Sequence, residues 1–327
     1  MVADYGESVP YTVKKDTSSS RKQREGYWEA AASLQAVDGL EPSGEARRMA
    51  GSYIDGDCSS AAFVERVEDY HGGRPGDADA DPESREADLV AARIVRLLES
   101  SPFTLSPRTL LGIHSSLFAD VFDRRWVGRF RSVNLAKEEP VLGGRTVQYA
   151  DYASIQPTLE YDFEQERSRP KGDLSDPTEI RRFSRFIANM WQVHAFREGN
   201  TRTTAVFSEL YLRSLGAQVD NAPFAGNGPL FRDALVRANF SDPLAGIDEN
   251  LDFIASFYDS VVNGRPYPYS PSDLNVHGIR SVEDVAYRED FRLDLPTGGV
   301  EGLGKTAARA ASLTGANGRT GSSASRL

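Results

Sequence analysis

The chain has 327 residues, enough for a sizeable core in one large domain or two smaller ones. With 39% apolar and 26% charged residues and a formal net charge of -10, it reads as globular; the acidic balance argues against general nucleic-acid binding but leaves room for a local basic groove. Cys58 is the only cysteine, which excludes an intrachain disulfide and a thiolate zinc site, and it reads as a small, partly buried residue. No run of 18 apolar residues occurs, so no membrane span is expected. Met1 to Ser20 lacks an apolar signal core, and a cytoplasmic location is the expectation.

Residues 1–22 are polar and read as a mobile arm. From Tyr27 the pattern turns helical: Trp28, Ala31, Ala32, Leu34 and Gln35 begin a short helix that Asp38-Gly39 ends, and Pro42-Ser43 precedes a second helix through Met49 and Tyr53. His71 to Pro82 is rich in Gly, Pro and Asp and reads as a linker. A further helical block starts near Glu86, with Val90, Ile94, Leu97 and Leu98 on one face. Ser106-Pro107 is an N-cap followed by Pro at the first helical position, and Leu110, Ile113, Leu117 and Phe118 form the next apolar stripe. Val141-Leu142, Gly143-Gly144 and Thr146-Val147-Gln148-Tyr149 read as a β-hairpin with a Gly-Gly turn, the strongest strand signal in the chain. Asp176-Pro177-Thr178-Glu179 resembles a capping box before a helix whose Phe183, Ile187, Met190 and His194 share a face. After a break at Gly199-Asn200 a helix carries Val206, Leu210 and Ser214, and later helices fit Pro229 to Ala238 and Asp242 to Val262. From about Pro296 the Gly-, Ala- and Ser-rich tail reads as disordered. The fold class is mainly α, a helical bundle with one hairpin.

The chemistry concentrates at residues 194–202, read as HAFREGNTR. An apolar helix delivers His194 at its last turn, a short loop follows, and a new helix begins near Thr201. The start of that helix offers unpaired N–H groups and the positive end of its dipole, which suit phosphate. Gly199 allows close backbone approach. Glu198 is placed to hold Mg²⁺ together with phosphate oxygens. Arg202 can neutralise phosphate charge, and His194 can accept a proton from an incoming hydroxyl. Taken singly, each has a plainer reading: a core histidine, a solvated acid, a helix cap, a surface cation. Their conjunction at one helix–loop–helix junction favours chemistry, provided that the imidazole and guanidinium face a pocket.

The stretch resembles the signature of the Fic family, His-Pro-Phe-x-(Asp/Glu)-Gly-Asn-Gly-Arg-x-x-Arg. The resemblance extends over roughly residues 86–265 and includes Ile113-His114, Leu117-Phe118 and Gly128-Arg129-Phe130-Arg131. It implies a Fic-type helical bundle over 86–268 and a hairpin flap over Lys137 to Tyr152 on which a target protein docks by strand addition. By the same resemblance His194 is the general base, with Asn200 beside it in the catalytic set, and Phe196 anchors the loop. Glu198 binds Mg²⁺, and Gly199, Asn200, Thr201 and Arg202 lie along the nucleotide phosphates. The implied reaction transfers AMP from ATP to a Ser, Thr or Tyr hydroxyl of another protein. Ala195 stands for Pro, Thr201 for Gly and Ala205 for the second Arg, which leaves adenylylation, an altered transfer or a binding-only module open. A homodimer is also left open.

Residues 23–80 resemble the small helical antitoxin module of the family, through Leu34-Gln35-Ala36-Val37-Asp38-Gly39-Leu40, Pro42-Ser43 and Ile54-Asp55-Gly56. Asp38 occupies the place of the family's inhibitory Glu, whose mate is the second Arg. With Ala205 in that place, Asp38 is expected to lack a charged mate and the module to serve packing. Residues 269–327 form a C-terminal extension. Its Gly299 to Thr306 fits a phosphate-loop pattern, and Thr297 to Gly302 fits the inhibitory pattern. Neither is supported by a following sheet or a good helix, and both read as chance.

Overall fold

The structure, a computed structural model, describes residues 19–72, 81–100 and 102–276. Ten α-helices run through the described residues. The first three are α1 (Arg21–Gln35), α2 (Gly44–Asp55) and α3 (Ser60–Gly72). The remainder are α4 (Pro82–Ser100), α5 (Pro107–Phe118), α6 (Ile155–Ser168), α7 (Pro177–Val193), α8 (Asn200–Ser214), α9 (Gly228–Ala238) and α10 (Asp252–Asn263). None is long and apolar enough to cross a membrane.

Local chemistry explains most of the boundaries. Ser43 and Ser106 each accept a hydrogen bond from the first turn of the helix they precede, and Gly39 closes the turn after α1 at φ 73°. The chain orders earlier than the polar composition of residues 1–22 suggests. Ser20 and Gln23 form a complete capping box, so α1 starts at Arg21, ahead of its first buried ring at Tyr27. Asp176 caps α7 alone; Glu179, expected to complete that box, turns instead to Arg169 and Arg182. The last helix begins at Asp252 rather than Asp242, because Pro243 and Gly246 shape a turn closed by an Asp242–Ile247 bridge. Residues 73–80, central to the expected linker, lie outside the described residues, as do 1–18 and the tail with both of its pattern matches.

Helix α8 is the hub of the bundle. Its residues from Asn200 to Leu212 are all buried. It packs against α5, α7 and α4, while α1 lies along α4 and touches α9. The core is rich in rings: Phe103, Phe163, Phe183, Phe186, Phe207 and Tyr211 meet edge-on or offset at centroid distances of 5.1 to 6.3 Å. This packing fixes where α7 ends and α8 begins.

The expected hairpin is not present as paired strands. Among the described residues the segment makes one antiparallel bridge, Glu139–Arg145. Pro140 to Leu142 coil into a 3-10 turn that buries Val141 and Leu142, and Gly143 and Gly144 both adopt positive φ. Residues 146–149 nonetheless alternate exposed and buried as an extended chain does.

Candidate functional site

Helix α7 ends at His194, whose φ of 50° turns the chain into the left-handed region and whose N–H returns to the Trp191 carbonyl at 2.9 Å. The side chain is 3% exposed. Its ring lies flat against Tyr149, with centroids 3.9 Å apart, and meets Trp191 edge-on at 5.3 Å. Neither ring nitrogen has a hydrogen-bond partner. Burial holds the imidazole pKa well below its ordinary value, and the charges of Lys137 and Arg131 push the same way, so the ring is neutral at pH 7. Two bare nitrogens in the interior mark a place where a polar group belongs.

The loop after His194 is held from three sides. Arg131 donates from Nε to the His194 carbonyl at 2.7 Å and from Nη2 to the Val193 carbonyl at 3.3 Å, so it caps α7. Its remaining donors reach the Val133 and Ala150 carbonyls, and its main-chain N–H bonds the Ala195 carbonyl. Phe196 is buried and stacks on His114 at 3.9 Å. His114 accepts from the Gly128 N–H at Nδ1 and donates from Nε2 to the Glu198 carbonyl at 3.2 Å, an arrangement that only one neutral tautomer satisfies. Burial accordingly pushes its pKa down to about 4.

Asn200 closes the loop on itself. Its Oδ1 accepts from the Phe196 N–H at 2.9 Å and its Nδ2 donates to the Phe196 carbonyl at 2.7 Å. Its side-chain amide, expected in the catalytic set, is thus engaged in shaping the loop. Gly199 needs its lack of a side chain twice over, since φ is 74° and a Cβ would sit 2.3 Å from Phe118 Cζ. Thr201, at the first turn of α8, accepts from the Trp191 indole at 3.0 Å, so its hydroxyl faces α7. Glu198 projects outward, a third exposed, and meets Lys137 Nζ at 3.3 Å. Arg197 lies over Trp126, 4.7 Å from the ring centroid.

This constellation, a neutral buried imidazole, a loop closed by Asn200, an outward acid and a helix start behind a strict glycine, falls within residues 104–212, which match the Fic/DOC family model. This segment is a Fic/DOC domain. Two solved structures are similar. The N-terminal FIC domain of Bep8, a VirB-translocated effector from Bartonella sp. 1-1C, is 17% identical with TM-score 0.41, covering 53% of this chain and 81% of its own. BepC of Bartonella tribocorum, solved with bound AMPPNP, is 19% identical with TM-score 0.43, covering 55% of this chain and 85% of its own. No curated protein gives a significant match.

What lies outside the matched segment acts on the Fic/DOC domain directly. Arg202 is 1% exposed, and three side chains hold its guanidinium. Gln35 Oε1 accepts from Nη1 at 3.0 Å and Glu86 Oε1 from Nη2 at 2.8 Å, while Asp38 Oδ2 forms an ion pair with Nη2 at 2.8 Å. Phe118 supplies a ring face at 4.9 Å. The expectation that Asp38 lacks a charged mate is therefore overturned: with Ala205 buried and uncharged, Asp38 pairs with Arg202 three residues earlier on α8. A second contact runs beside it. Arg232 donates to the Val37 carbonyl at 3.1 Å and lies 3.9 Å from Glu139, which accepts from the Tyr149 hydroxyl at 3.2 Å. Burial raises the pKa of Glu139.

The motif residues named from sequence lie along the junction of α7 and α8, but the imidazole and the guanidinium are each covered, the first by Tyr149 and the second by Gln35, Asp38 and Glu86. Tyr149, Glu86, Gln35 and Arg232 were not singled out from sequence as site residues. The contacts Tyr149–His194, Glu86–Arg202, Gln35–Arg202 and Arg232–Val37 span 45 to 195 positions of the chain, and no local spacing encodes them. Arg131 sat in a recognisable GRFR stretch, but nothing in that stretch announces a cap on α7.

Proposed function

We propose that this chain transfers AMP from ATP to a Ser, Thr or Tyr hydroxyl of a target protein. The observation that carries the reading is the buried His194, with two unpartnered nitrogens, five residues upstream of Gly199, where α8 is about to start. A hydroxyl entering over His194 gives its proton to a ring nitrogen while its oxygen bonds the α-phosphorus of ATP. The bond from that phosphorus to the β-phosphate oxygen breaks, and pyrophosphate leaves. The low pKa of the imidazole keeps it unprotonated and ready to accept. The start of α8 faces the phosphates with its N–H groups.

Glu198 suits Mg²⁺: it is a single outward carboxylate whose partner, Lys137, is at the solvent edge, and Mg²⁺ binds through few carboxylates plus phosphate. Bound there, the ion would neutralise charge on the phosphate chain. The target segment fits the extended stretch at 146–149. Among the described residues the main-chain N–H groups of Val147, Gln148 and Tyr149 donate to no protein acceptor, which leaves an edge for an added strand. Tyr149 must shift for a hydroxyl to reach His194, and phosphate at Arg202 competes with Asp38 and Glu86.

That competition favours a second reading, a module that binds nucleotide or a partner without transfer, since two acids already neutralise Arg202. Incubation with ATP labelled at the α-phosphate separates the two. Label on protein, lost in His194→Ala, is expected for the enzyme. Nucleotide binding without any label transfer would establish the second reading instead.

A further inference from the structure

The reading of ATP as substrate raises a question of charge. A triphosphate brings several negative charges to a site where most cations are already engaged. Arg131 is buried against the carbonyls of Val133, Ala150, Val193 and His194. Arg197 lies on Trp126. Arg202 faces Gln35, Asp38 and Glu86. Arg232 bonds Asp233 and the Val37 carbonyl. Ala205, one turn beyond Arg202 on α8, is buried and adds no charge.

Lys137 differs from all of these. Its ammonium meets a single carboxylate, Glu198 Oε2, at 3.3 Å, and both side chains are about a third exposed. A half-solvated ion pair of this kind is weak and exchanges readily. The backbone behind it is fixed, because the Lys137 N–H bonds the Thr146 hydroxyl at 3.2 Å. Its charge also reaches His194, where it helps hold the imidazole neutral. Lys137 thus meets the acid directly at the solvent edge while its charge is felt at the base, and a cation bound at Glu198 would release it.

We propose that Lys137 is a nucleotide-binding residue that contacts the β- and γ-phosphates, and that its pairing with Glu198 is a resting position. The inference rests on the proposed use of ATP. A charged hydrogen bond made only to the outer phosphates must show as selectivity for phosphate chain length.

Calorimetric titration of ATP, ADP and AMP with Mg²⁺ into the full chain tests this, repeated in Asp38→Asn so that the hold on Arg202 does not mask binding. Wild type is expected to bind ATP more tightly than AMP. Lys137→Met is expected to lose about tenfold or more on ATP with little change on AMP, and Lys137→Arg to restore most of the loss. Glu198→Gln frees the ammonium and is expected to tighten ATP binding in the absence of Mg²⁺. If Lys137→Met keeps the wild-type ratio of ATP to AMP affinity, the assignment of Lys137 is overturned while nucleotide binding stands. If neither background binds any of the three nucleotides, the ATP reading falls and this assignment with it.

Discussion

At the entry to the 194–202 loop sits Arg131, and at its exit sits Arg202; both are almost completely buried, and they are held in different ways. Arg131 faces main-chain carbonyls of α7 and of the segment that covers it, groups that cannot leave without unfolding the turn. Arg202 faces three side chains on α1, its following turn and α4, all outside the Fic/DOC segment, and side chains can swing away. The contrast separates a guanidinium fixed to the main chain from one held only by side chains.

Removing Arg131 should break the comparison most visibly. Arg131→Met leaves the His194 and Val193 carbonyls without their donor, and a loss of about 3–5 kcal/mol in denaturant unfolding is expected. A loss below about 1 kcal/mol would mean that water replaces the guanidinium and that Arg131 is no more structural than Arg202.

His114 sharpens the same point through pH, because it too is tied to the main chain of the loop. Its folded pKa is about 4 against an ordinary 6.5, so the unfolded chain takes up a proton first as the medium acidifies. Stability from this group is full above about pH 6.5 and falls by up to about 3 kcal/mol as the pH drops towards 4. His114→Gln should be about 2 kcal/mol less stable at pH 7, with the gap narrowing towards pH 4. His194, Glu139 and Glu209 titrate in both proteins and cancel in the difference. A gap constant over that range would contradict the neutral, twice-bonded imidazole.

The smallest stability effect is expected at Arg202's side of the comparison. Asp38→Asn should change unfolding by about 1 kcal/mol, since Gln35 and Glu86 remain on the guanidinium. Its ATP affinity should rise. Unchanged affinity would show that Asp38 does not compete with phosphate.

Much of the fold was legible because its signals are local. Ser43, Ser106 and Asp176 cap helices where their spacing predicts, and the stripes of α4, α5 and α7 are buried as their period demands, Leu97 of α4 only in part. The hairpin was misread because Val141-Leu142 followed by Gly-Gly fits a turn between strands. Pro140 and the burial of both apolar side chains make it a 3-10 corner instead. In the site, the sequence locates His194, Glu198, Gly199 and Arg202, yet the rings and acids that close over them come from distant segments. Thr201 illustrates the limit: it stands where the resembling signature has Gly, and no local spacing announces that its hydroxyl accepts from the Trp191 indole.

That indole bond has a practical consequence. The chain contains three tryptophans, and two of them touch the 194–202 loop. Trp28 lies in α1 against Phe63, Trp126 carries Arg197, and Trp191 touches both His194 and Thr201. The protein therefore holds its own optical reporters. Emission from Trp191, isolated by replacing the other two with Phe, would follow the uncovering of the imidazole in real time without any added label.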